Sequence, residues 1–337
     1  MKILRHSVAS LLSCACFLTE IPPAAAEGVY EAAFVPLGGI DQWVTIRGND
    51  TGNPVLLVIH GGPGDVLSPY VDEFERYQND FVVVQWDQRG AGRTYSRYRE
   101  QTPDLTVERV AQDGIELTRY LAAHLEADEI YVLGHSWGSL IAVEMVRREP
   151  RLFTAYIGTG QISNWRMSNQ AGYDYLATLA ESDEALRSEL DLIGLFDPEN
   201  GEHARAINGP LRRNLNASDA TWLGNLLARA REMFTPEEFQ DTSDGMSFSG
   251  RAYRAVRVDL FSTAPRLELP VVVIQGRHDL FTPTEPALMW FDELQAPQKV
   301  LFVIEDAGHF ALVTHQTAFL ESLLAAKRQI GVESESR

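Results

Sequence analysis

Short, unbroken apolar runs recur along this chain. Residues 55–59 read VLLVI, 81–86 FVVVQW, 130–133 IYVL and 270–275 PVVVIQ. Runs of this length without alternation mark strands covered on both faces. Residues 153–157 and 299–304 add two more. Between the runs the period changes: Val107, Val110, Ala111, Ile115, Leu117 and Leu121 fall at roughly helical spacing. Residues 140–146 and 316–326 carry two further helical segments. Earlier, 33–37 and 42–46 flank Gly38 and Gly39 and predict an antiparallel hairpin. Strand and helix alternate, so the economical architecture is α/β, with a mostly parallel central sheet and helices on both faces.

One stretch breaks the rhythm. Residues 163–262 show amphipathic helical segments, at 173–179 and 220–233, and no buried strand. A helical cap inserted between two strands of one sheet accounts for it. The expected organisation is a leader over 1–26, a first core part over 27–160 and the cap over 161–264. A second core part over 265–330 and a flexible tail over 331–337 complete it.

The leader reading rests on Lys2 and Arg5, an apolar stretch over 8–18, and the small run Ala24, Ala25, Ala26. A basic start, a short apolar centre and a small-residue exit are the features of a cleavable export signal, here cut after Ala26. Export to a periplasm or out of the cell is the expectation. A lipid anchor on Cys14 or Cys16 and an uncleaved membrane anchor are the rival readings. No later run reaches the roughly 20 apolar residues a membrane helix needs, so no stable membrane insertion is expected.

Composition narrows the classes. The 337 residues are 45% hydrophobic and 23% charged, ordinary for a globular protein. Lys plus Arg number 29 against 47 Asp plus Glu, a formal charge of −18, which repels nucleic acid. The two cysteines, Cys14 and Cys16, both fall in the leader, so neither a disulfide framework nor a cysteine metal site is expected.

Candidate chemistry starts at Gly134-His135-Ser136-Trp137-Gly138, a G-x-S-x-G motif between a predicted strand and a predicted helix. A serine there sits on a sharp turn at a helix N-terminus, where free N–H groups can meet an oxyanion. A serine hydroxyl needs a base, and the base needs an orienting acid. His309 follows the last predicted strand and Asp279 follows the one before, in the order Ser136, Asp279, His309. His278 competes for the base and Asp306 for the acid. The glycine-rich turn His60-Gly61-Gly62-Pro63-Gly64 offers Gly62 as an oxyanion donor beside the N–H of Trp137. It lacks the Gly-Lys-Ser/Thr ending of a phosphate loop.

Together, residues 60–64 (HGGPG), 87–94 (DQRGAGRT) and 134–139 (GHSWGS) resemble the proline iminopeptidase family of serine peptidases. That resemblance spans about residues 52–310. It implies the α/β-hydrolase fold with a helical cap, Ser136 as nucleophile, Asp279 and His309 as its partners, and Gly62 and Trp137 as oxyanion donors. The 87–93 loop would buttress the site. Thr94 stands where the family has Ser, and the family's Trp-x-x-Trp-Glu cap element, which helps receive the substrate amine, has no counterpart. Asp174, Glu181, Glu232 and Asp259 are cap carboxylates that could replace its acid. The expected function is therefore a serine hydrolase, an aminopeptidase releasing an N-terminal residue with proline favoured. An esterase or small-molecule amidase is the alternative, and a non-catalytic binding protein the remote one. No cofactor or metal is implied, the partner is a small peptide, ester or amide, and the substrate-binding residues stay open.

Overall fold

The structure is a computed structural model that describes residues 27–334. The expected leader and its cleavage point lie outside the described residues. Eight strands form one sheet: β1 (Val29–Leu37), β2 (Ile40–Gly48), β3 (Val55–Ile59), β4 (Val82–Trp86), β5 (Ile130–His135), β6 (Ala155–Thr159), β7 (Val271–Gly276) and β8 (Lys299–Ile304). Their order is β1-β2-β4-β3-β5-β6-β7-β8. β1 and β2 make the antiparallel hairpin, β2 also runs antiparallel to β4, and every pairing from β4 to β8 is parallel.

The apolar runs are explained by two cores. In β3, Val55, Leu57 and Ile59 face one and Leu56 and Val58 the other, and all five are buried. The first core is closed by α2 (Val107–His124) and α3 (Trp137–Arg148), through residues such as Val110, Ile115, Ile141 and Val146. Phe74, Tyr77, and Phe319 and Leu323 of α12 (Gln316–Ser334) close the second. Each fully buried aliphatic side chain contributes about 1.5–3 kcal/mol. The short α1 (Gly92–Tyr98) follows β4.

Between β6 and β7 stand α4 (Trp165–Ala180), α5 (Glu184–Asp191), α6 (Gly201–Arg213), α7 (Ala217–Met233) and α8 (Pro236–Ala252). Each starts on a side-chain cap, at Asn164, Asp183, Asn200, Asn216 and Thr235 respectively, with Glu238 completing a capping box at the last. Leu176, Leu186, Leu190, Ile207 and Leu211 give this insert a small core of its own. The chain then passes through α9 (Leu260–Thr263), α10 (Thr284–Glu293) and α11 (Ala311–Thr314).

The segment expected as a tail begins at 331, and α12 runs on to Ser334. Ile330 is buried in the second core, and no proline follows it to stop the backbone ladder. Among the described residues, no helix is long and apolar enough to cross a membrane.

Candidate active site

The turn carrying Ser136 is built by steric necessity. Ser136 has φ 55° and ψ −123°, a conformation L-residues avoid. It joins β5 directly to α3, and its N–H donates to Thr159 O at 3.0 Å. The two motif glycines permit this. A Cβ on Gly138 would stand 2.1 Å from Ile59 O, and one on Gly134 would stand 2.6 Å from Gly138 O. Any side chain at either position would push the turn off the sheet.

Asp279 and His309 meet beyond the ends of β7 and β8. His309 Nδ1 lies 2.9 Å and 3.0 Å from the two carboxylate oxygens of Asp279. Asp279 is 3% exposed, so its charge must be met by donors. Phe281 N and Thr282 N donate to Oδ1, and Thr282 Oγ1 and Gln275 Nε2 donate to Oδ2. With Nδ1–H given to the carboxylate, Nε2 of His309 is left as the free, basic nitrogen. The imidazole packs among His135, Phe281 and Phe310, with ring centroids 4.8–5.0 Å apart.

Ser136 and His309 converge on the same strand end. Ser136 is bonded to Thr159, and a Cβ on the next residue, Gly160, would stand 2.9 Å from His309 Cε1. Among the described residues no hydrogen bond joins Ser136 Oγ to His309. Catalytic hydrogen bonds of this kind commonly tighten only with substrate present. The rival residues separate cleanly: His278 and Asp306 are both exposed. His135 is engaged elsewhere, its Nε2 3.0 Å from His309 O.

Gly62 and Trp137 line one cavity of about 280 Å³ between sheet and cap, together with Trp165, Tyr253, Phe281 and Thr282. Trp137 is the first residue of α3, so its N–H has no intrahelical acceptor. Gly61 runs close to the nucleophile turn, where a Cβ would stand 3.1 Å from Ser136 Cβ.

Around this lies a buried polar scaffold. Asp87 accepts from Ser68 Oγ (2.6 Å) and Arg93 N (2.9 Å). Arg89 is sealed against Asp113 at 2.6 Å with both side chains fully buried. Thr94 donates to Asp87 O and accepts from Trp43 N, contacts a serine would also make. Burial lowers His60 to about 4 and His135 to about 3, and raises Asp87 to about 6.

Sequence reasoning missed Asp219. This carboxylate of α7 is fully buried, and it accepts from His309 N at 2.6 Å and Phe310 N at 3.3 Å. A Cβ on Gly308 would stand 2.2 Å from its Oδ2, so the loop lies flat on the cap helix. Burial raises its pKa against the pull of those two donors. Its only sequence signal is its place three residues after the N-cap Asn216. Asn216 Nδ2 is itself buried. Asp65, a half-buried carboxylate, lines a small recess with Gly61, Tyr70, His135, Trp222 and Phe310.

The four cap carboxylates picked out from the sequence lie elsewhere. Glu181 and Glu232 are exposed. Asp259 is occupied by Asn164 and Ser262. Asp174 accepts from Gln170 and lines a separate open groove against Glu285 and Met289. No group of three or more His, Asp or Glu among the described residues is placed to hold a metal ion.

Comparison with known proteins agrees with this architecture. A family model described as the alpha/beta hydrolase fold matches residues 54–316. A probable aminopeptidase, YbaC, from Bacillus subtilis is 30% identical over 298 residues, covering 85% of this chain and 93% of that protein. A probable proline iminopeptidase from Leptolyngbya boryana is 24% identical, covering 87% and 92%. Among solved structures, a proline iminopeptidase-related protein from Thermus thermophilus superposes with a TM-score of 0.64 at 23% identity, covering 88% of this chain and 98% of that one. An esterase from Thermogutta terrifontis superposes with 0.55 at 20% identity, covering 90% and 99%. The chain therefore belongs to the α/β-hydrolase family, alongside relatives named as aminopeptidases and proline iminopeptidases.

Proposed function

We propose that this hydrolase is a serine aminopeptidase that releases an N-terminal residue, with proline favoured, through an acyl-enzyme. The observation that carries the reading is the buried Asp279–His309 pair, held at the strand end that also anchors Ser136. In the reaction, His309 Nε2 takes the Ser136 proton as Oγ attacks the substrate carbonyl. The tetrahedral oxyanion is met by the N–H groups of Gly62 and Trp137. His309 then protonates the leaving amine, and water repeats the sequence on the acyl-enzyme. Asp279 holds the imidazole in the tautomer that leaves Nε2 basic and stabilises the imidazolium. The leader pattern supports export as the setting.

A second reading, esterase or small-molecule amidase, is favoured by one observation: no carboxylate lines the 280 Å³ cavity itself. A panel of proline-, alanine- and leucine-linked chromogenic amides, each with free and blocked amine, separates the two. The peptidase reading expects turnover of the free-amine amides only. Silence on every amide beside brisk ester turnover would leave only the esterase. A fluorophosphonate probe should label the wild type, with Ser136→Ala abolishing the label; persistent labelling of that variant removes Ser136 as nucleophile.

A further inference from the structure

We propose that the cap carries a carboxylate-binding site, formed by Arg205, Asn208 and Arg257, that holds the free C-terminus of a short peptide during cleavage. The proposal rests on the peptidase reading above and names the other end of its substrate. Arg205 and Asn208 lie three residues apart on α6, one face of a helix. Both line the cavity that contains Gly62, Trp137 and Thr282. Arg257 approaches from the chain after α8, its guanidinium 4.4 Å above the ring of Trp165, which lines the same cavity.

The two arginines converge. A Cβ on Gly201, the first residue of α6, would stand 3.0 Å from Arg257 Nη2 and 3.5 Å from Arg205 Nη1, so the two guanidinium groups flank the same residue. Two like charges brought together repel unless an anion lies near them. Among the described residues Arg257 has no ion pair; it donates only to the carbonyl oxygens of Arg254 and Val256. Arg205 has a single long contact, 3.9 Å, with Glu202, which is 87% exposed. Arg205 lines the cavity and Arg257 stands beside it, over the ring of Trp165, so in a chain of formal charge −18 this weakly neutralised cation pair at the cavity rim asks for an anionic ligand.

Chemistry selects the anion. The planar guanidinium fork matches a carboxylate's two oxygens, and the Asn208 amide adds another donor. A cavity of about 280 Å³ holds a residue or two. With the scissile carbonyl at Gly62 and Trp137, a carboxylate on the cap wall belongs to the leaving side. Short peptides with a free C-terminus meet both conditions, and longer ones would carry their carboxylate past the arginines.

The test uses the full chain and alanyl-leucine as the free acid and as the C-terminal amide, both with a free amine. The acid is expected to show about tenfold higher kcat/KM, carried by KM, in keeping with a hydrogen bond to a charged group. The double variant Arg205→Gln, Arg257→Gln brings the ratio toward one, and Arg205→Lys keeps part of it. Thermal melts check that each variant folds, and Arg205→Gln alone serves if the double variant does not. Equal rates for acid and amide in the wild type, or an undiminished ratio in the variants, overturn the site. If neither dipeptide is cut, the peptidase reading fails on its own. Inhibition of neutral-ester turnover by the two dipeptides then decides: stronger inhibition by the acid, lost in the variants, supports the site, and equal inhibition overturns it.

Discussion

Ser136 occupies a strained backbone conformation because the two residues flanking its turn have no side chains and β5 runs straight into α3. Such strain persists only where the surroundings over-determine it, as the contact of Gly138 with Ile59 O does here. In the proposed mechanism Asp279 acts through His309, so Asp279→Asn should lower kcat by about 10³–10⁴ with little change in KM, since an amide favours the wrong tautomer. Steady-state kinetics on the best substrate check this, and a loss below tenfold would assign the acid elsewhere. Buried titratable groups set the acid behaviour. His60 and His135, lowered to about 4 and about 3 by burial, stay neutral where an unfolded chain takes up protons. Their contribution is whole above the unfolded value of 6.5 and is lost as pH falls through 4 and 3. Asp87, raised to about 6, has the opposite sign: its contribution is whole below the unfolded value of 3.8 and lost as pH rises through about 6. The fall in Tm from pH 7 to pH 4 should therefore shrink in His135→Asn and grow in Asp87→Asn, as melting curves at the two pH values would show.

At the scale of elements, the G-x-S-x-G motif was legible because its context was. An unbroken apolar run before it and a helical period after it identified the turn, and the catalytic candidates all fell at strand ends. The contact between α7 and the His309 loop was not legible. Asp219 looks like any acid in the first turn of a helix until the fold lays that turn on Gly308. Through two backbone hydrogen bonds this cap helix holds the loop that carries His309. Asp219→Ala should lower kcat by about 10²-fold, as expected for a misplacement of about 1 Å. Asp219→Asn, which keeps one acceptor, should recover part of it. Unchanged kcat in the alanine variant would make the contact merely structural.

For the whole molecule, the excess of acid acts at long range while the Arg205 and Arg257 pair acts at contact. A cationic substrate, such as an amino-acid amide with a free amine, is drawn toward a chain of charge −18. Its kcat/KM should fall as salt rises from about 0.01 M to 0.15 M, as the Debye length shrinks from about 30 Å to 8 Å. A neutral ester should be nearly indifferent, and equal salt responses of the two would exclude steering. The amino-acid sequence by itself determined the sheet, the insertion and the positions of Ser136, Asp279 and His309. Those follow from local periodicity and from turn chemistry confined to a few neighbouring residues. Only the tertiary structure decided which cap residues matter. Asp219 and Arg205 stand about 90 and 69 residues from His309 and Ser136 in the chain. Their roles come from packing one helix against a distant loop or cavity, and hydrophobic period alone carries no information about which polar face meets which partner.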